Sequence, residues 1–260
     1  MEDSQAQEAA RLLYGAWRDK ALIYELPETC RPQNTADGYQ IQEVLVGLHG
    51  GSHAGYKIGA TNKVAQKMFN VDAPFSGHVM KASLRNSPAS ISAGEVILHI
   101  IEAEFDFLMK EDLPPREGSY TQDEVMARVD SLIPAIEIPD SRYKNWSAVG
   151  IAQLIADNAI ASILVLGEPA KNWRDLNLAN QSVAVRINGE TVDEGSGANV
   201  LGDPRNVMTW LANTLSARGT GLKAGQIITT GSAANVIKVK PGDTVVADFG
   251  DLGSAEVTFD

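Results

Sequence analysis

A chain of 260 residues, 44% of them hydrophobic, is long enough for one large domain or two small ones and can fill a core of that size. Its 33 Asp and Glu outweigh 22 Lys and Arg, and the net charge of -11 would repel nucleic-acid phosphates and anionic lipid headgroups alike. The single cysteine, Cys30, cannot close an internal disulfide, no stretch approaches the ~20 apolar residues of a membrane span, and the acidic start lacks the basic flank of an export signal, so the cytoplasm is the expected address.

Ser4 and Gln7 have capping-box spacing, and Ala9, Leu12, Leu13, Ala16 and Trp17 follow at helical intervals, which predicts a first helix. Ile41, Val44, Leu45 and Leu48 predict a second, ended by Gly50-Gly51. From Val96 to Met109 the period changes to two, as in a long strand that separates Ile97, His99, Ile101, Ala103, Phe105 and Phe107 from the alternate positions. Thr121 and Glu124 form another capping box, opening a helix through Val125, Val129 and Leu132, with Pro134 as the next boundary.

Ser147 to Leu166 has the length and composition of a deeply buried helix, stopped by Gly167 and Pro169. Val183, Val185 and Ile187 alternate up to Asn188-Gly189, a strong hairpin signal, with Thr191 and Val192 on the return. Asp203-Pro204 is a cap and first-turn pair for a helix running to Arg218-Gly219. Residues 226–230, 244–249 and 255–259 read as strands. Without regular strand-helix alternation, the order implies an α+β fold with mixed or antiparallel sheet. Residues 1–79, a helical region with a lysine-bearing strand, and 80–260, a β-rich catalytic core, are expected to form one integrated unit.

The chemistry concentrates in Ile100-Ile101-Glu102-Ala103-Glu104, because residues i and i+2 of a strand share a face. Glu102 and Glu104 therefore point together. Isolated E-x-E pairs commonly form the wet face of a strand, but Leu98 and Ile100 continue this row as apolar residues. Buried paired carboxylates need water, a proton or a cation, and oxygen-only ligation suits Mg²⁺ or Mn²⁺ better than zinc. Glu137, inside the apolar run of residues 134–139, is a third candidate ligand.

Lys57, between Tyr56 and Ile58 and bounded by Gly55 and Gly59, is a candidate for partial burial, with its pKa lowered near a metal toward proton transfer. Thr229-Thr230-Gly231-Ser232 ends a strand in a small-residue turn able to hold a carboxylate. The four histidines lack zinc spacing, and neither a G-x-S-x-G elbow nor a phosphate loop is present. His99 is assigned to packing on the face opposite the glutamates.

Together, GYKIGATNKVAQKMFNVDAPFSGHVM, IEAEFDFLM, PAIEIPDSRYKNW, ADNAIASILVLG, GLKAGQIITTGS and PGDTVVADFGDLGSAEVTF resemble the 2-keto-4-pentenoate hydratase and 4-oxalocrotonate decarboxylase family of the fumarylacetoacetate hydrolase superfamily over nearly the whole chain. The resemblance implies that superfamily's β-roll, a small 2-keto acid substrate, metal ligation by Glu102, Glu104 and Glu137, acid/base or substrate-orienting work by Lys57, and substrate contacts at Gly231 and Ser232. It also implies a homo-oligomer, with a pathway enzyme as a possible partner. GYKIG stands where the superfamily's hydrolases carry a histidine motif, which disfavours C–C hydrolysis. Phe75 stands where hydratases of the family often carry an acid. Hydration of 2-hydroxypenta-2,4-dienoate and decarboxylation of 4-oxalocrotonate are the two activities implied, and a non-catalytic partner subunit of the same fold is the reading from another class.

Overall fold

The computed structural model describes residues 1–260. In chain order its elements are α1 (Asp3–Arg18), α2 (Thr35–Leu48), β1 (His53–Gly59), α3 (Lys63–Phe69), β2 (Phe75–Met80), β3 (Leu84–Asn86), β4 (Ala89–Ile91), β5 (Ile100–Met109), α4 (Gln122–Met126), β6 (Val129–Ile138), α5 (Ile151–Ala156), β7 (Ile163–Leu166), β8 (Ser182–Ile187), β9 (Glu190–Ser196), α6 (Pro204–Ala217), β10 (Ile227–Ile228), β11 (Ile237–Lys238), β12 (Thr244–Asp248) and β13 (Ser254–Phe259).

They form two mixed sheets, one ordered β2-β1-β10-β5-β6-β7-β3 with β11 also on β5, the other β4-β13-β12-β8-β9. Parallel pairs β1/β10, β3/β7 and β4/β13 interrupt otherwise antiparallel ladders. This is the α+β class expected from the element order. Position 79/80 lies inside β2, which pairs with β1 along its length and so ties the N-terminal residues into the larger sheet. The alternate residues Ile101, Ala103, Phe105 and Phe107 of β5 pack with Val245, Ala247, Val257 and Phe259 of the second sheet in the main core. That apolar layer leaves the opposite face of β5 for chemistry. In a separate cluster α1 and α2 pack through Ala6, Ala9, Leu13, Ile41 and Leu45 around Tyr143.

Local signals held where the chemistry is short-range. Thr121 and Glu124 make the reciprocal cap of α4, Asp203 caps α6, and Asn188 (φ 53°) with Gly189 (φ 87°) turns the β8–β9 hairpin through the left-handed region that this turn requires. Other boundaries moved. The first helix is capped by Glu2 and Gln5 instead of Ser4 and Gln7, so it starts before Ser4. The helix at 121 ends at Met126, and Val129, Leu132 and Pro134 belong to β6. Proline is tolerated there because its nitrogen faces the β7 side, where the regular ladder stops at the Ala135–Leu166 pair.

The strand assigned to residues 96–109 begins at Ile100. Asp140 accepts the amides of Ile97 and Leu98 at 3.1 and 3.0 Å and His99 takes φ 46°, so the chain bends and Leu98 does not continue the glutamate row. The helix expected over 147–166 is divided into α5, a left-handed turn and β7. Asn158, Ala159 and Ile160 all have φ between 52° and 56°, and Asn158 clamps the backbone of His78 through its own amide, donating at 2.8 Å and accepting at 2.7 Å. Gly77 permits this approach, since a Cβ there would lie 2.3 Å from the Asn158 carbonyl oxygen.

Candidate active site

The antiparallel register of β5 and β6 puts Glu102 directly opposite Glu137 and Glu104 opposite Ala135, so all three acids share one sheet face. One oxygen from each of Glu102, Glu104 and Glu137 lies within 4.8 Å of the other two. Glu104 and Glu137 are buried and Glu102 is partly exposed. From β1, Lys57 enters the same space, 3% exposed, with Nζ 3.2 Å from Glu137 Oε2 and donating to the Ala159 carbonyl at 3.2 Å. The left-handed turn at 158–160 thus has a direct function, presenting a backbone acceptor to the lysine. The partial burial expected for Lys57 is complete burial.

Three carboxylates around one ammonium do not balance. Burial pushes Glu137 up to about 8, Lys57 opposing and Glu104 adding to the shift. Burial likewise raises Glu102 to about 7, and raises Glu104 to about 6 with the charge of Glu102 as the next cause. For Lys57 burial acts downward, but attraction by Glu137, Glu102 and Glu104 together outweighs it and holds the ammonium above its ordinary range. The lowered lysine pKa was expected beside a metal; with the three acids alone, their attraction holds the ammonium above its ordinary range instead. A cation among the acids would remove that attraction.

The donor set fits a hard divalent cation. All three groups offer oxygen, Glu104 Oε1 has no hydrogen-bond partner although buried, and the Glu104 carboxylate is pre-aimed by the Gly231 amide, which donates to Oε2 at 2.8 Å. Gly231 needs its lack of a side chain: φ is 89° and a Cβ would meet Thr61 Oγ1 at 2.1 Å. Ser232 bridges to Glu104 through the backbone and its hydroxyl donates to the Ala234 carbonyl at 2.9 Å. The six residues singled out by sequence, Lys57, Glu102, Glu104, Glu137, Gly231 and Ser232, therefore come from β1, β5, β6 and the segment after β10 to one region.

Residues 71–260 match the family model described as Fumarylacetoacetate (FAA) hydrolase C-terminal. The chain belongs to the fumarylacetoacetate hydrolase family. Within it, the chain is 33% identical over 263 residues to the 2-keto-4-pentenoate hydratase of Paraburkholderia xenovorans, covering 100% of this chain and 97% of the relative. It is 31% identical to the 2-hydroxyhexa-2,4-dienoate hydratase of Comamonas testosteroni, covering 100% and 99%. Among solved structures, 4-oxalocrotonate decarboxylase from Pseudomonas putida G7 complexed with magnesium and adipate superposes with a TM-score of 0.92 at 27% identity, covering 100% of this chain and 99% of that one.

This fumarylacetoacetate hydrolase family chain also carries a buried acid at the site that sequence reading passed over. Asp106 continues the row of Glu102 and Glu104, is fully buried, has no partner for either oxygen, and is raised well above the ordinary aspartate range by burial and then by Glu104. The period of two that singled out the glutamates points equally at Asp106. Thr229, fully buried in that same small-residue segment, lies beside Glu104 and opposes the rise of its carboxyl. Phe75 lies opposite Gly59 on β2, its ring stacked edge-on to Phe69 at 5.7 Å and packed with Ala60 and Ala159. An apolar wall thus stands beside the Lys57 strand where an acid was the alternative.

Proposed function

We propose that the chain is a divalent-metal-dependent lyase that hydrates 2-hydroxypenta-2,4-dienoate (2-keto-4-pentenoate) to 4-hydroxy-2-oxopentanoate in aromatic-compound catabolism. The observation that carries this reading is the convergence of Glu102, Glu104 and Glu137 beside a buried Lys57, in a chain that aligns end to end with 2-keto-4-pentenoate hydratases. The three glutamates would hold Mg²⁺ or Mn²⁺, which suit an all-oxygen donor set. When bound, the cation supplies Lewis-acid polarisation of the substrate's 2-oxo group.

The protein's own part is orientation and proton movement. Lys57 is the acid/base: as the enol proton leaves the 2-oxygen, a proton is delivered to C5, giving the conjugated ketone. Water then adds across C3 and C4, oxygen to C4 and hydrogen to C3. The ammonium is held between Glu137 and the Ala159 carbonyl, so it keeps a fixed position while substrate enters. Gly231 and Ser232 line the turn that contacts the substrate carboxylate, and the Gly231 amide holds Glu104 in its ligating orientation.

A second reading, decarboxylation of 4-oxalocrotonate, is favoured by Phe75. Loss of carbon dioxide from a vinylogous keto acid needs no activated water, and an apolar wall suits it. There the C5–C6 bond breaks and its electrons move through the conjugated chain to the 2-oxygen. Turnover of 2-hydroxypenta-2,4-dienoate and of 4-oxalocrotonate with Mg²⁺, with products identified, tests both. 4-Hydroxy-2-oxopentanoate from the dienoate supports hydration; carbon dioxide and dienoate from 4-oxalocrotonate alone overturn it in favour of decarboxylation. Turnover of neither returns the chain to the partner-subunit reading.

A further inference from the structure

A cavity of about 610 Å³ lies apart from the acid cluster, and none of Lys57, Glu102, Glu104, Glu137, Gly231 or Ser232 lines it. Its volume is in the range of sites for small organic ligands. One wall is aromatic: His49 meets Trp17 edge-on at 4.3 Å between ring centroids and Tyr14 at 5.0 Å. Leu13, Leu45, Met80, Ile97 and Ile163 extend this wall as apolar surface.

The charge of the lining is opposite to that of the chain. Arg18, Lys20, Lys81, Arg85 and Arg142 contribute five cations against Glu95, Asp140 and Asp157, in a protein of net charge -11. Arg142 is the informative one. Its side chain is 4% exposed, Nε donates to Asp157 Oδ1 at 2.6 Å and Nη2 to the Asp157 carbonyl at 3.2 Å, which leaves Nη1 without a partner in the protein. A guanidinium held rigidly by one carboxylate and open at its other edge is pre-organised for a second. Lys81, also on the lining, makes no ion pair or hydrogen bond with its ammonium.

We propose that this cavity is a second ligand site, taking a small monocarboxylate with a flat, aromatic or conjugated body. The body would lie against Trp17, Tyr14 and His49, with the carboxylate at Arg142 and Lys81. Three acids in the lining argue against a polyphosphate, whose several charges they would repel, whereas a single carboxylate matches the small positive excess. The site also has a path to the chemistry. Asn158 lines the cavity, and the carbonyl of the next residue, Ala159, is the acceptor that holds Lys57.

The test uses the full-length protein with divalent metal chelated, so that the acid cluster repels anions, and benzoate as the probe. Calorimetry should give saturable one-to-one binding, and tryptophan fluorescence should change with the same midpoint. Lys81→Glu, with Lys81→Gln as the milder variant should reversal disturb folding, should weaken binding by about tenfold, in keeping with loss of one charge contact. Trp17→Phe should remove the fluorescence change while heat remains, and Glu104→Gln should leave binding unaltered. No saturable heat up to roughly 20 mM, past the range of weak specific binding, overturns the proposal. So does binding unchanged in both Lys81 variants, binding lost in Glu104→Gln, or sedimentation showing that a second copy of the chain closes the cavity while benzoate does not bind.

Discussion

Glu102 and Glu137 are direct cross-strand partners on one face of the β5–β6 ladder, an arrangement of like charges that destabilises a sheet unless something positive lies between them. Lys57 answers one of the three charges. Glu104→Gln is therefore expected to weaken divalent-metal affinity by at least about tenfold, because it removes a ligand, yet to leave the fold intact or more stable without metal, because it removes a repelling charge. Calorimetry with Mg²⁺ and a thermal melt in chelator check the two halves. Unchanged affinity contradicts the ligand assignment.

Lys57→Ala should lower kcat by ~10²- to 10⁴-fold, the usual cost of losing a general acid/base, with metal binding retained. A variant keeping more than about half of kcat would place proton transfer elsewhere.

The chelated protein should lose stability as pH rises. Glu104, Glu102 and Glu137 titrate at about 6, 7 and 8 in the fold, against an ordinary 4.5. Between these limits the folded chain holds more protons than the unfolded one, so unfolding free energy falls with pH across the window of about 4.5 to 8. Mg²⁺ should stabilise more at pH 8 than at pH 5, since it replaces those protons. Melts in chelator and in Mg²⁺ at both pH values test this, and a Mg²⁺ increment that shrinks with pH would refute it.

Asp106→Leu, close to aspartate in shape, deletes a buried carboxyl whose two oxygens have no partner. Its loss should stabilise the chelated protein, on the order of 1–3 kcal/mol at pH 8, the scale of an unsatisfied buried polar group. Chemical denaturation at that pH measures it.

Arg142→Ala should cost ~3–5 kcal/mol, because Asp157, fully buried, would lose its counterion and its hydrogen-bond donor together. Asp157→Asn with Arg142→Met together should recover part of that loss, since the uncompensated charge is gone. A double variant no more stable than Arg142→Ala would show that packing around the pair dominates.

The residue types at the site were legible in the chain because strand alternation is a local rule: Glu102 and Glu104 had to share a face, and an acid inside 134–139 had to find a partner. The same rule reaches Asp106. Caps were equally readable at Thr121 and Asp203, where a side chain satisfies backbone groups two or three residues away, and so was the turn at Asn188-Gly189, where both residues take the left-handed conformation. Long-range pairing decided the rest. Only the register of β5 on β6 sets Glu102 against Glu137, and only the approach of β1 brings Lys57 to both. The left-handed turn at 158–160 overrides a sequence with helical composition because the Asn158 clamp on His78 and the Lys57 bond to Ala159 join it to residues about 80 and 100 positions away. Propensity acts over one turn of chain, at a few tenths of a kcal/mol per residue, and two such buried tertiary attachments exceed it.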